Sequence, residues 1–331
     1  MNRLSLIIPL YNRPEEIKEL LDSLVEQGKF LHEVIVVEDG SINDAKDIVN
    51  GFSEQLPTKY FYKPNSGPGQ SRNYGAERAT GDYFIFLDSD CIIPQNYLHS
   101  IHKELDESPV DAFGGPDRAH ESFTPLQKAI NYAMTSFFTT GGIRGSKSAL
   151  DKFYPRSFNM GYTKEVFAAT KGFGPMRFGE DIDMSMRLIK LGFKTRLFPK
   201  AYVFHKRRTN FRQFFKQVFN SGMARIHLHL LHPGSLKPVH VLPALFTVGV
   251  LFCLLCSLII HPAFLAPIMA YAMLIYMHST IVNESGRVGL LSVPAAFVQL
   301  MGYGLGFFNG IWVRLILKKN PKGAFVKNFY E

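Results

Sequence analysis

The chain is short of acidic residues where it is richest in basic ones. After Asp183 no aspartate or glutamate occurs until Glu284, while twelve lysines and arginines fall between Arg187 and Lys237. A basic stretch that leads into apolar segments suits anionic lipid headgroups. The apolar neighbours argue against nucleic acid, and no nucleic-acid partner is expected. Cysteine is scarce. Cys91, Cys253 and Cys256 are the only three of the 331 residues, with neither a disulfide framework nor zinc-ligand spacing, which points to a reducing compartment. A secretory leader is not expected at the start: the apolar run over 4–10 is short and leads into Arg13-Pro14-Glu15-Glu16. No Ser-His or Cys-His nucleophile pattern stands out, and the single tryptophan, Trp312, lies in the apolar tail.

The chain is 46% hydrophobic, with a net charge of +9, and both properties are unevenly spread. The first ninety residues alternate strand and helix. Strands are expected over 4–9, 33–37, 59–62 and 83–87. Between them, Ile17, Leu20, Leu21 and Leu24 mark a helix face, and further helices are expected over 45–52 and 70–79. Such alternation predicts a mostly parallel sheet with helices on both faces. Ligands then bind at the carboxyl ends of the strands. Four polar or glycine-rich turns fall there: Pro9-Leu10-Tyr11-Asn12, Glu38-Asp39-Gly40-Ser41, Asn65-Ser66-Gly67-Pro68-Gly69 and Asp88-Ser89-Asp90. Further on come a turn at Gly114-Gly115-Pro116, a Gly- and Ser-rich loop over 141–148, a helix opened by Phe178-Gly179-Glu180-Asp181-Ile182-Asp183, and two strand-like pieces over 193–204.

Asp88 and Asp90 close a buried apolar run. Residues two apart on a strand share a side, so the two carboxylates repel unless a cation joins them. A hard divalent ion, Mg²⁺ or Mn²⁺, takes such oxygens together with diphosphate oxygens.

The pattern resembles the family 2 glycosyltransferases of GT-A fold over about residues 3–210. It rests on Ile8-Pro9-Leu10-Tyr11-Asn12, Val36-Val37-Glu38-Asp39-Gly40-Ser41, Asn65-Ser66-Gly67, Ser71-Arg72-Asn73-Tyr74-Gly75, Leu87-Asp88-Ser89-Asp90 and Gly179-Glu180-Asp181-Ile182-Asp183 with Arg187. The resemblance implies a nucleotide-sugar site formed by Pro9, Tyr11, Asn12, Glu38, Gly67, Arg72 and Asp88. It implies a metal on Asp88, Asp90 and His205, a general base in Asp181, and acceptor-side roles for Glu180 and Arg187. Relatives usually carry aspartate where this chain has Glu38. The Gln-x-x-Arg-Trp element of processive relatives is missing, so one transfer per encounter is expected, and a single displacement without a covalent nucleophile would invert the anomeric carbon. The donor would be a nucleotide-diphosphate sugar and the acceptor a lipid-linked or other membrane-held glycan. A sugar nucleotidyltransferase and a non-catalytic membrane scaffold of the same fold are the alternatives.

The expected organisation is a catalytic domain over 1–208, an amphipathic interfacial helix over 209–235 and a membrane region over 236–331. Spans are expected at about 241–260 and 263–282. The third apolar stretch, 288–317, is interrupted by Gly302, Gly304, Gly306, Asn309 and Arg314. It reads as re-entrant or interfacial, because a third crossing would leave Lys318, Lys319, Lys322 and Lys327 outside. The catalytic part would then face the cytoplasm, at the inner membrane of a bacterium.

Overall fold

The computed structural model describes residues 2–141 and 153–319; the Gly/Ser-rich stretch over 142–148, Lys322 and Lys327 lie outside them. The chain divides into two compact units. One takes in residues up to Arg118 together with the segment ending at Lys206. The other takes in the segment beginning at Ala119 and the chain from Arg207 onward. The expected boundary at 208 is therefore corrected in one respect: residues 119–141 leave the catalytic segment, because their apolar side chains pack on helices of the second unit.

In the first unit the elements follow as β1 (Leu4–Leu10), α1 (Pro14–Leu24), β2 (Glu33–Asp39), α2 (Lys46–Gly51), β3 (Thr58–Lys63), α3 (Pro68–Ala76), β4 (Tyr83–Leu87), β5 (Cys91–Ile92), α4 (Tyr97–Glu107), β6 (Ala112–Gly114) and β7 (Asp117–Arg118). The second unit contributes α5 (Pro125–Thr135) and α6 (Phe137–Thr140). The first resumes with β8 (Asn159–Thr163), α7 (Lys164–Thr170), α8 (Glu180–Lys190), β9 (Thr195–Leu197) and β10 (Val203–His205).

The main sheet has the order β3-β2-β1-β4-β8-β6-β9. Its first four strands run parallel, while β8 pairs antiparallel with both β4 and β6. Alternation along each strand fills two layers. Leu6, Ile8, Val34, Val36, Ile85 and Leu87 face α1 on one side, and Ile7, Ile35, Val37, Phe84 and Phe86 face α8 on the other. Gly75 lets α3 lie on the sheet, since a Cβ there would come within 2.6 Å of Ile7. A smaller sheet, β5-β10-β7, stands beside the end of β4. Neither β8 nor this small sheet follows from the sequence pattern.

The second unit continues with α9 (Phe211–Leu231), α10 (Leu242–Ile259), α11 (Ala266–Asn283) and α12 (Gly286–Ile311), which runs on into a π-helical turn at Trp312–Ile316. Among the described residues, three segments are long and apolar enough to cross a membrane: Leu242–Ile259, Pro262–Asn283 and Gly286–Ile316. The third was expected to be re-entrant or interfacial. Its helix is continuous through Pro294, and its glycines are contact points. A Cβ on Gly306 would lie 1.9 Å from the Phe219 carbonyl, one on Gly302 2.6 Å from Val218, and one on Gly304 2.2 Å from Thr247. Gly222 of α9 makes the reciprocal approach, 2.1 Å from the Tyr303 carbonyl. Small residues at such spacing let helix backbones touch without relying on water exclusion. Helix α9, expected as an interfacial helix, is thus packed along α12, and its Phe214, Val218 and Ile226 are buried.

Two consequences can be measured. Gly306→Ala places a methyl group on a backbone carbonyl and should cost about 1–3 kcal/mol. Gly249→Ala, where nothing lies within 4 Å, should be neutral or stabilising by up to about 1 kcal/mol. Thermal unfolding of the detergent-solubilised pair checks this; equal melting points would contradict the packing. The second concerns Glu33, at the amino end of the main sheet. Burial alone would raise its pKa, but Lys59 Nζ at 2.7 Å, Ser5 Oγ at 2.6 Å and the Thr80 N–H at 2.6 Å outweigh burial and hold it at about 2, below the ordinary 4.5. A depressed carboxyl stabilises the fold above its unfolded pKa and loses that contribution as pH falls through the folded one. Glu33→Gln should therefore lower stability at neutral pH and flatten its decline between 4.5 and about 2, as followed by denaturant unfolding against pH.

Candidate functional site

The site is assembled at the carboxyl end of β4. Antiparallel pairing of β5 with β10 sets His205 opposite Cys91 and Phe204 opposite Ile92, which brings the imidazole over the Asp88-Ser89-Asp90 turn. His205 Nε2 lies 3.1 Å from Asp90 Oδ1 and 3.9 Å from Asp88 Oδ2. Its ring stacks on Phe158 at 5.1 Å. The Lys206 N–H donates to the Asp90 carbonyl at 3.0 Å, and Arg13 Nη1 holds Asp90 Oδ2 at 2.5 Å. Two carboxylates and an imidazole that converge within 4 Å are a donor set suited to a hard divalent cation. The residues present therefore fit the implied Mg²⁺ or Mn²⁺. Cys91 is also near, but burial above all, with the Asp90 and Asp88 carboxylates, pushes its thiol pKa well up. Its Sγ contacts the Phe158 carbonyl at 3.6 Å.

Beneath this turn lies Arg72, 2% exposed. Its Nη2 donates to Asp88 Oδ1 at 2.6 Å and its Nη1 to Glu180 Oε1 at 3.1 Å, with the guanidinium 5.4 Å from the Phe173 ring. Arg72, expected near the nucleotide, is here bonded to carboxylates on both sides. Helix α3 directs Arg72 into the interior, where it joins the β4 turn to the start of α8. Burial foremost, then the Asp181 carboxylate, push Glu180 up, against the pull of Arg72. The expected acceptor-side role of Glu180 becomes that of a buried partner.

Asp181, one residue on, pairs with Arg156 Nε at 3.0 Å and accepts from the Ser157 N–H at 3.4 Å through one oxygen, and accepts from the Ile182 N–H at 2.8 Å through the other. Arg187 is corrected as well. It binds Asp183 Oδ2 at 2.9 Å and donates to the Thr170 and Gly172 carbonyls at 2.5 and 2.8 Å, which clamps the loop between α7 and α8.

On the nucleotide side, Pro9 and Tyr11 are half-buried at the end of β1. Glu38 is not at the rim. It is fully buried, with its oxygens taken by Ser41 Oγ, the Ala45 N–H at 3.0 Å and Tyr60 Oη at 3.4 Å, and burial raises its pKa. The residue on the opposite face of the strand is Asp39. Its Oδ1 receives the Ser66 N–H at 2.9 Å and its Oδ2 the Gly67 N–H at 2.8 Å, and Lys63 Nζ is bonded to it too. Gly67 has φ of 94° and begins α3, a backbone conformation that favours glycine. Asn12 also turns out to be a loop tie. Its N–H donates to Ser41 Oγ at 2.7 Å, and its side-chain oxygen accepts from the Ile42 N–H at 2.8 Å. The sequence reading missed Asp39, Arg13 and Arg156. Strand parity could have found Asp39, because neighbours on a strand face opposite sides; the two arginines carry no comparable local signal.

The family model described as "Glycosyl transferase family 2" matches residues 5–170. The chain belongs to glycosyl transferase family 2. Among curated relatives of this family 2 chain, an uncharacterized glycosyltransferase of Rickettsia bellii is 35% identical over 106 residues, which are 32% of this chain and 15% of that one. Glycosyltransferase AglE of Haloferax volcanii is 26% identical over 75% of this chain and 81% of its own length. The match thus takes in only a small part of the Rickettsia relative. Among solved structures, mannosyltransferase PcManGT of Pyrobaculum calidifontis, in complex with GDP-Man and Mn²⁺, shares the fold at a TM-score of 0.58 and 17% identity, over 95% of this chain and 88% of that one.

The Arg72 bridge yields a stability prediction. Arg72→Met leaves the carboxylates of Asp88 and Glu180 together without their buried cation and should destabilise by about 3–5 kcal/mol. Adding Glu180→Gln should restore part of that loss. Thermal unfolding of the two variants checks it; identical values would show that the bridge does not couple the two carboxyls.

Proposed function

We propose that this family 2 protein is a metal-dependent, inverting glycosyltransferase. It moves one sugar per encounter from a nucleotide-diphosphate sugar to a lipid-linked or other membrane-held glycan, at the cytoplasmic face of a bacterial inner membrane. The observation that carries the reading is the convergence of Asp88, Asp90 and His205 at the end of β4. Mg²⁺ or Mn²⁺ held there would neutralise the charge that develops on the departing diphosphate. Arg72 positions Asp88, and through Glu180 it also holds the first turn of α8 that presents Asp181. The Asp39-bound loop at Ser66 and Gly67, with Pro9 and Tyr11, forms the nucleotide side. Asp181 takes the proton from the acceptor hydroxyl. The hydroxyl oxygen then bonds to the anomeric carbon as the bond to the diphosphate breaks, and the electron pair leaves with the nucleoside diphosphate. One displacement inverts the anomeric centre. Three candidate spans and the basic stretch before them support a membrane-held acceptor and an anionic membrane surface as partner.

Asp88→Asn with Asp90→Asn should abolish the rise in melting temperature that Mn²⁺ and a matching nucleoside diphosphate give the purified protein, and should remove transfer activity. Full activity in that variant would refute the metal role. Asp181→Asn should leave the nucleotide-dependent shift intact and lower turnover by about 10²–10⁴-fold, read as sugar transferred to membrane-extracted acceptor.

A further inference from the structure

Helices α5 and α6 follow β7 in the chain but pack wholly within the second unit. Ile130, Ala133 and Met134 lie against Phe214 and Val218 of α9 and Ala295 of α12. Tyr132 joins Ile275 and Ala296, and its Oη is 2.8 Å from His278 Nδ1. Tyr271 Oη donates to the Phe138 carbonyl at 3.2 Å, and the Phe138 and His278 rings meet edge to face at 5.0 Å. Tyr271 and Ile275 occupy the middle turns of the candidate span Pro262–Asn283, and His278 the next. Helix α6 therefore lies against the interior turns of a candidate span.

The polarity of that tip is the reverse of what water favours. Phe137 is 70% exposed and Phe138 37%, while Ser136 and Thr139 are buried. The threonine hydroxyls from Thr135 to Thr140 turn onto the segment's own backbone, and Ser136 Oγ bonds the Tyr132 side chain. Thr135 Oγ1 donates to the Asn131 carbonyl at 2.8 Å. Thr139 and Thr140 donate to the Ser136 carbonyl at 3.0 and 2.8 Å. Ser136 Oγ accepts the Phe138 N–H at 3.3 Å. In water the hydroxyls would be satisfied without folding inward, and two outward phenyl rings would be unfavourable by about 25 cal/mol per Å². In hydrocarbon each polar group must find its partner inside the protein, and phenyl rings belong outside.

We propose that α5 and α6 form a membrane-inserted arm, with Phe137 and Phe138 among the acyl chains of the bilayer beside the span Pro262–Asn283. The inference rests on the reading of the apolar helices as spans. The 11 residues of α5 rise only about 16 Å, roughly half of a hydrocarbon core of about 30 Å. A helix of that length reaches into one leaflet, and length and hydropathy alone do not reveal it. Its partner is lipid acyl chain.

The test uses the unaltered chain in nanodiscs that contain a phospholipid with a photoreactive group at the end of one acyl chain. After irradiation, lipid adducts are mapped by peptide. Adducts on the peptide that carries Phe137 and Phe138, alongside those on Leu242–Ile259, are expected. Adducts on Leu242–Ile259 but none on the arm would overturn the inference while leaving the spans in place; none on either would overturn the membrane reading itself. A second readout exploits the single tryptophan. In a Trp312→Phe background, the indole introduced by Phe137→Trp should emit to the blue, lose fluorescence to brominated acyl chains and resist acrylamide. Acrylamide quenching without bromolipid quenching would place it in water and reject the proposal.

Discussion

The candidate site depends on one buried cation. Arg72 touches Asp88 at the end of β4 and Glu180 at the start of α8, two elements far apart in sequence. A guanidinium can serve both because its fork presents several donors in a fixed plane. Without it, the buried carboxyl of Glu180 and the half-buried one of Asp88 would lie near one another with no cation between them. The aspartate that would hold a metal and the helix that would present a base are thus held together from below, which leaves the outer oxygens of Asp88 and Asp90 turned toward His205. The buried ion pair matters here for where it places groups, more than for its net contribution to stability.

A different economy of contact holds the second unit. Helices apolar on every side gain little from hiding surface when their surroundings are equally apolar, so close backbone approach and internal hydrogen bonds do more. Gly222, Gly302, Gly304 and Gly306 allow that approach, and the Ser279–Ser292 contact at 2.7 Å with Asn283 alongside supplies polar ties between α11 and α12. The hydroxyls folded inward around α6 follow the same rule. In both cases the polar atoms are satisfied within the protein and the apolar ones are left outside.

The sequence was most readable where a periodic pattern meets a local rule. The alternation of Val34, Ile35, Val36 and Val37, the helix face of Ile17, Leu20, Leu21 and Leu24, and the Asp88-Ser89-Asp90 turn are all local, and the sheet, helix and carboxylate pair follow from them. It was least readable where one residue had two possible directions. Glu38 and Asp39 are adjacent acids in one turn, and only the packing of α2 and β3 shows that Glu38 faces inward. Arg187 and Asn12 are polar residues in suggestive motifs that the fold uses as clamps.

The sequence by itself determined the parallel core, the place of its carboxyl-end turns and the apolar tail, because each rests on spacing along the chain, and its motifs carried the resemblance to the family. Tertiary structure alone decided that Arg72 lies under the site, that His205 stands over Asp90, that the glycines of α12 are contacts and that residues 119–141 belong with the apolar helices. Each of these depends on the pairing of segments many residues apart, and side chains that meet only after folding leave no periodic trace in the chain.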